Sequence, residues 1–328
     1  EAHRIANIAA AKAHRRLGVD TATPPIDIAG AIAAAEVPLF WRRLPRVLGL
    51  YINEQGSRPG ILVNNALPHG ARRHTAAHEL GHHLLSHTTH VDDGSTVEVT
   101  LDEDDATEVP VRRRAGWPEQ EKAAEAFAAW FLMPRRAVRS AMTRLRISDP
   151  TSALDVYRMS LLLGTSYRST ARHLPNLRLA THGQASSWLR VAPGRLKAQL
   201  DRGAEPPASR RGDVWLLDDG FNAFEILMFE DDRAVVPVPA GWTIDRPIWM
   251  VPVPKEDGNP TNVFECRPDV PETLGLIRCE SIDLRERTQS FEQPVDAGQH
   301  WEISIRVLPR PQGPDTMQPI KNGLTPAK

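Results

Sequence analysis

The 328-residue chain contains only two cysteines, Cys266 and Cys279. Two thiols near one end are too few for the disulfide framework of a small secreted domain or for a cysteine-based zinc site. We therefore expect both to be reduced and structural, as in a cytoplasmic protein. No apolar run approaches the roughly 18 residues of a membrane-spanning helix, and no signal-like segment opens the sequence. The sequence thus predicts a soluble protein.

The chain also lacks an excess of either charge. Its formal net charge is −1, with 25% charged residues, so the composition does not indicate a general nucleic-acid binder. The length is sufficient for two domains of ordinary size. Function must therefore be sought in local motifs.

The most informative motif is His-Glu-x-x-His at residues 78–82. On a helix, His78, Glu79 and His82 lie at about 0°, 100° and 40°, so both imidazoles share one face. Two histidines one turn apart bind a single zinc ion, and the carboxylate between them serves as general base. Alanines and leucines around the motif predict an amphipathic helix. Two strands just before it, at 48–53 and 61–65, would offer an edge to an extended peptide.

A catalytic zinc ion usually has three protein ligands and one open position, so a third ligand is needed. His87 would lie about 180° around an ideal helix from His78 and cannot bind the same metal. A second predicted helix, residues 118–134, carries Glu121 and Glu125 one turn apart. We take Glu121 as the ligand and Glu125 as a partner of a zinc-bound histidine; the reverse assignment and a solvent-facing acidic turn stay open.

Other polar residues near the motif are assigned no firm role. His74 is expected to be structural, and His83 to lie at the surface or behind the ligands. Tyr51, His74 and His83 are the candidates for stabilising an oxyanion.

The two helices together resemble the ImmA/IrrE-type metallopeptidases. Residues 73–82 are similar to that family's R-F-T-x-A-H-E-x-G-H core, and residues 121–134 to its E-x-x-A-N-x-F-A-x-x-L-L-M-P helix. The resemblance covers roughly residues 1–175 and implies that His78, His82 and Glu121 bind zinc while Glu79 is the general base. This chain departs from the family pattern at His74, where the family has an aromatic residue, and at Glu125, where it has asparagine.

The resemblance also implies a role. Family members are typically intracellular bacterial proteases that cut a helix-turn-helix repressor in mobile elements or stress regulons. We therefore expect a cytoplasmic zinc endopeptidase whose substrate is a DNA-binding repressor. The alternative is a non-catalytic regulatory module that sequesters a transcription factor around a structural or vestigial metal site. Direct DNA reading by the helices after Pro134 is a third and weaker hypothesis.

The predicted architecture is α+β, with a zincin-like minimal peptidase domain, a helical extension and a β-rich sandwich or barrel. The peptidase domain is placed at 1–134, the helix-turn-helix-like extension at 135–180, the β-rich regulatory or substrate-recognition domain at 185–308 and a flexible tail at 309–328. The long acidic connector at 88–117 is either a functional lid or a solvated insertion.

Overall fold

The computed structural model describes residues 2–44, 47–54, 56–87, 90–92, 118–201, 204, 208, 212–221, 224–254, 262–268, 273–281 and 300–308. Within these ranges the chain has the predicted α+β fold, with helices in the first two thirds and a β-rich region after them. The helices are α1 Ala2–Arg16, α2 Ile28–Ala34, α3 His69–Leu84, α4 Glu119–Leu132, α5 Arg135–Arg144, α6 Ala153–Leu163, α7 Tyr167–His173, α8 His182–Trp188 and α9 Pro193–Leu200. The strands are β1 Leu39–Arg42, β2 Gly49–Ile52, β3 Gly60–Asn64, β4 His90–Asp92, β5 Val214–Leu216, β6 Glu225–Phe229, β7 Arg233–Val235, β8 Trp242–Asp245, β9 Met250–Pro252, β10 Val263–Cys266, β11 Thr273–Ser281 and β12 His300–Leu308.

The first sheet lies beside the helix that carries the histidine motif. Its order is β1-β3-β2-β4, with β1 parallel to β3 and the other pairs antiparallel. The two predicted strands are thus present as β2 and β3. Strand β4 ends this order on one side and pairs with β2, so β2 itself is an inner strand.

Helices α3 and α4 pack closely because small residues line their contact. A Cβ atom on Gly81 would lie 2.9 Å from Cδ1 of Phe127 and 3.4 Å from Cα of Ala124. Ala124 and Phe127 are fully buried. The glycine therefore sets the spacing between the two helices, and with it the distance between the side chains that they present to each other.

The helix-turn-helix-like pair is folded into the protein. Its turn ends α6 with Gly164 in the left-handed region, at φ 61°, and lies against α3, where a Cβ atom on Gly70 would meet the backbone of Thr165 at 2.7 Å. The second helix, α7, is largely buried, including Tyr167 and His173. A helix that reads DNA must expose its side chains to the groove, so this packing disfavours direct DNA reading.

Two short helices, α8 and α9, occupy residues that the sequence analysis left without elements. They span the predicted boundary near residue 185, and the strands begin only at Val214. Helix α8 begins with a capping box in which Thr181 and Gln184 bind each other's backbone N–H groups.

The β-rich region contains two four-stranded sheets, ordered β5-β7-β10-β9 and β6-β12-β11-β8. The β-type runs at 214–218, 223–230, 234–238, 249–253, 276–284 and 301–308 predict six of these strands, whereas β8 and β10 were not predicted. Of the three tryptophans that the sequence predicts in the core of this region, Trp215 and Trp301 are buried, whereas Trp249 is half-buried and packs against the core. Both cysteines are buried free thiols, in agreement with the expectation.

The β-rich region is joined to helix α6 by polar contacts. Tyr157 donates from its hydroxyl to Oδ1 of Asp213 at 3.2 Å and accepts from the N–H of Val214 at 3.0 Å. Arg158 binds Asp218 at 3.0 Å. Helix α6 therefore packs against both parts of the molecule.

Two expectations fall partly or wholly outside the described residues. Most of the connector at 88–117 lies outside the described residues, apart from β4, and so does the tail at 309–328. Among the described residues, no helix combines the length and the apolar character needed to cross a membrane.

Candidate metal centre

The two motif helices bring three predicted site residues together. Nε2 of His82 lies 3.0 Å from Nε2 of His78, and Glu121 places its carboxylate oxygens 3.3 Å from His78 and 3.2 Å from His82. All three residues are buried, His82 completely. Among the described residues they form a group that could hold a metal ion.

The spacing of these atoms fits a divalent ion of zinc's size. A tetrahedral zinc ion with bonds of about 2.0–2.1 Å holds its ligand atoms about 3.3–3.4 Å apart. The observed separations of 3.0–3.3 Å are close to this value. Two imidazoles and one carboxylate also match the ligands of a catalytic site that retains an open position.

Glu79 lies on the neighbouring face of α3 and is fully buried. Strand β2 approaches it so closely that a Cβ atom on Gly49 would lie 2.6 Å from Oε1 of Glu79 and 2.5 Å from Thr75. Only glycine permits this approach of strand and helix without displacement. The strand therefore packs directly against the carboxylate of Glu79.

Glu125 occupies a different place from Glu121. Its Oε2 lies 2.8 Å from Nε2 of His74 and 3.6 Å from Nδ1 of His78, the nitrogen on the far side from the cluster. Burial alone would raise the pKa of Glu125, but the charges and hydrogen bonds of His74 and His78 hold it well below its ordinary value. Glu125 is therefore an anion behind His78, and the departures from the family pattern at His74 and Glu125 contact each other.

His87 contacts the other ligand histidine, which the sequence analysis did not anticipate. Its Nδ1 lies 3.0 Å from Nδ1 of His82, and the two rings meet at 70°. The angle of about 180° from His78, which assumes a continuous helix, does not hold for His87. Helix α3 ends at Leu84, and Ser86 adopts a positive φ of 60°. His87 remains outside the three-residue cluster, as expected.

Tyr51 and His83 form a pair beside His82. The tyrosine oxygen lies 3.1 Å from Nδ1 of His83, and the rings of Tyr51 and His82 are stacked with centroids 6.5 Å apart. Burial raises the pKa of Tyr51, while burial and the charge of Arg16 lower that of His83. Both shifts favour an uncharged pair.

Comparison with known proteins identifies part of the chain. Residues 43–161 match the model of a peptidase family described as the IrrE N-terminal-like domain, a shorter span than the expected 1–175. No curated protein matches the chain. Among solved structures, the cysteine protease inhibitor EhICP2 from Entamoeba histolytica is 13% identical and covers 29% of this chain and 95% of its own, with a TM-score of 0.18. That score establishes no shared fold. The match to residues 43–161, which contain both motif helices, confirms the resemblance of this part of the chain to the IrrE N-terminal-like family of peptidases.

Proposed function

We propose that the protein is a zinc-dependent endopeptidase. The observation that carries the proposal is the convergence of His78, His82 and Glu121 at 3.0–3.3 Å beside the buried Glu79. A metal site that is only structural has no need of an acid next to its ligands, whereas a hydrolytic site requires a base there. The family match supports a peptide as the substrate class.

Each residue then has a defined task. His78, His82 and Glu121 hold the ion, which when bound supplies a Lewis acid for the peptide carbonyl and lowers the pKa of a water molecule. Glu79 accepts the proton of the attacking water and delivers it to the leaving amine. Glu125, whose Oε2 lies 3.6 Å from Nδ1 of His78, places a negative charge behind this ligand and favours its orientation towards the ion.

The proposal also covers the protein substrate, the cellular location and the domains of the chain. The resemblance to repressor-cleaving proteases supports a helix-turn-helix repressor as substrate, with cleavage relieving repression in a mobile element or a stress response. Two buried free thiols are compatible with a cytoplasmic location. The units proposed are the peptidase domain at 1–134, the helical extension at 135–180 and a β-rich domain at 185–308 that recruits substrate, senses a trigger or restrains the protease.

The proposal is tested by measuring bound metal and cleavage on the same proteins. Elemental analysis of wild type, Glu79→Gln and Glu121→Ala is followed by incubation with a helix-turn-helix repressor encoded beside the protease. Glu79→Gln should retain zinc but leave the repressor intact, and Glu121→Ala should lose most of its zinc. Glu119→Ala is the matched control, because Glu119 lies on the same helix and its side chain is 83% exposed.

The outcomes separate the hypotheses. Zinc retained by Glu121→Ala would move the third ligand to Glu125. Stoichiometric zinc in wild type without cleavage of any candidate repressor would favour the sequestering module over the enzyme. Absence of metal from all four proteins would refute the proposal.

A further inference from the structure

We propose that His87 is a positioning residue that fixes the tautomer of His82 and so prepares Nε2 of His82 to bind the metal. This inference rests on the proposed function, since it assigns a role around the same metal. The motif His-Glu-x-x-His does not include His87, and the helical periodicity of the sequence places it on the opposite face. The structure brings it to His82 by ending the helix.

The contact is held by the backbone as well as by the rings. The N–H of His87 donates to the carbonyl oxygen of His82 at 3.0 Å, while Leu85 donates to Gly81. Together with the left-handed conformation of Ser86, the bond from His87 is the six-to-one bond of a Schellman-type helix end. Nδ2 of Asn53, just after β2, donates to the carbonyl oxygen of His87 at 3.3 Å. His87 is thus fixed between the helix end and the sheet.

The proton assignment follows from the orientation of His82. Its Nε2 lies 3.0 Å from His78 and 3.2 Å from Glu121, so this nitrogen faces the ligand cluster. A nitrogen that binds a metal carries no proton, and a neutral imidazole then carries its proton on Nδ1. That N–H needs an acceptor, and Nδ1 of His87 at 3.0 Å is in position to accept it. His87 must then carry its own proton on Nε2.

The use of an imidazole as acceptor has an electrostatic reason. Glu121 and Glu125 already place two carboxyl groups against the ligand histidines, with Glu125 behind His78. A carboxylate behind His82 as well would add a third negative charge in a buried region, which is costly. A neutral imidazole accepts the same hydrogen bond without adding charge. The two ligand histidines are therefore supported differently, His78 by an anion and His82 by a neutral base.

The test measures metal affinity and the metal's spectrum, without depending on proteolysis. Zinc dissociation constants are obtained by chelator competition for wild type, His87→Ala, His87→Asn and the control His182→Ala, whose histidine is exposed on α8. Loss of an outer partner of a ligand typically weakens metal binding about 10–100-fold. We expect that loss in His87→Ala, a changed visible spectrum of its cobalt(II) form, and partial recovery of both in His87→Asn, whose amide oxygen can accept the bond.

A second measurement needs no variant. Two-bond 1H–15N NMR of the zinc-loaded wild type reports which ring nitrogen carries each proton, and we expect protons on Nδ1 of His82 and on Nε2 of His87. Wild-type affinity and spectrum in His87→Ala, or a proton on Nδ1 of His87, would overturn this inference and leave the proposed function intact. If wild type binds no zinc, the proposed function fails and this inference with it.

Discussion

Two buried clusters of ionisable residues in this protein are built on opposite principles. The first is the metal-ligand cluster of His78, His82 and Glu121 between α3 and α4. The second, in the β-rich region, is the arginine cluster of Arg233, Asp201 and Glu265. All six side chains are buried, between 0% and 8% exposed.

In the arginine cluster the protein supplies its own cation. Nη1 of Arg233 donates to Asp201 at 2.8 Å, and Nε and Nη2 donate to Oε2 of Glu265 at 3.2 and 3.1 Å. Arg267 binds the other oxygen of Glu265 at 2.7 Å. The guanidinium fork thus connects the end of α9 to strand β10, and the cluster is complete as a structural element.

In the metal-ligand cluster the converging atoms are two imidazole nitrogens and a carboxylate oxygen. These are the atom types that a zinc ion prefers, at the separations that it imposes. A salt-bridged structural cluster and a candidate metal-binding cluster can therefore be told apart. Both clusters are buried. They differ in their cation, which is the guanidinium of Arg233 in the arginine cluster and a proposed metal ion in the metal-ligand cluster.

The largest effect is expected from removing the built-in cation. Arg233→Met leaves Asp201 and Glu265 buried without their arginine, and breaking a buried ion pair in this way costs about 3–5 kcal/mol of the free energy of unfolding. Denaturant unfolding of the metal-free protein measures this loss. Zinc affinity should be unchanged, because the two clusters share no residue. A loss of zinc binding without a loss of stability would contradict the comparison.

The next effect is that of adding zinc. In the proposed function zinc binds the folded chain, so at about 100 times its dissociation constant it should raise the free energy of unfolding by about 2.7 kcal/mol. Thermal unfolding with and without zinc should show the shift in wild type and in a less stable Arg233→Met protein, but not in Glu121→Ala. An equal shift in Glu121→Ala would mean that zinc binds elsewhere.

A smaller effect is expected from changing the spacing of the ligand helices. Gly81→Ala places a methyl group 2.9 Å from Cδ1 of the fully buried Phe127, and overpacking of this kind costs about 1–3 kcal/mol. Zinc affinity should fall as well, because Glu121 moves away from the histidines. The control is Gly194→Ala on α9, where a Cβ atom meets nothing within 4 Å. Equal unfolding curves for Gly81→Ala and wild type would refute the close packing.

The smallest expected effect is a change in the pH dependence of stability caused by His173, which belongs to neither cluster. Burial, with the charge of His3, lowers the pKa of His173 to about 3, so this residue stays neutral in the folded protein while its unfolded form is protonated below about 6.5. The unfolded state then binds more protons between these values, and the free energy of unfolding falls as the pH falls from about 6.5 towards 3. In His173→Gln, the free energy of unfolding should depend less steeply on pH across this range. The control is His182→Gln, which replaces an exposed histidine and should leave the pH dependence of the free energy of unfolding as in wild type. If His173→Gln also leaves that pH dependence unchanged, His173 is not held neutral in the folded protein.

The sequence was most informative where a pattern is local. The spacing of His78 and His82 depends only on helical periodicity, and the pattern of residues 118–134 predicted the second helix with Glu121. The strands β2 and β3 followed from apolar runs around a turn. The capping box of Thr181 and Gln184 was a readable sign of α8, although the segment is short and polar.

The sequence was least informative where contacts join distant segments. His87 reaches His82 only because Ser86 adopts a left-handed conformation, and no glycine marks that helix end. Strand β10 contains Glu265, whose burial makes sense only with Arg233, 32 residues earlier. Such pairs depend on the tertiary fold, which periodicity does not report.

X-ray absorption at the zinc edge of the loaded wild-type protein tests the central claim most directly. The account predicts two imidazoles and only oxygen as further scatterers, at about 2.0–2.2 Å, with no sulfur. A third imidazole, a sulfur ligand or six-coordinate oxygen geometry would contradict the assignment of His78, His82 and Glu121 as the ligands of a catalytic zinc ion.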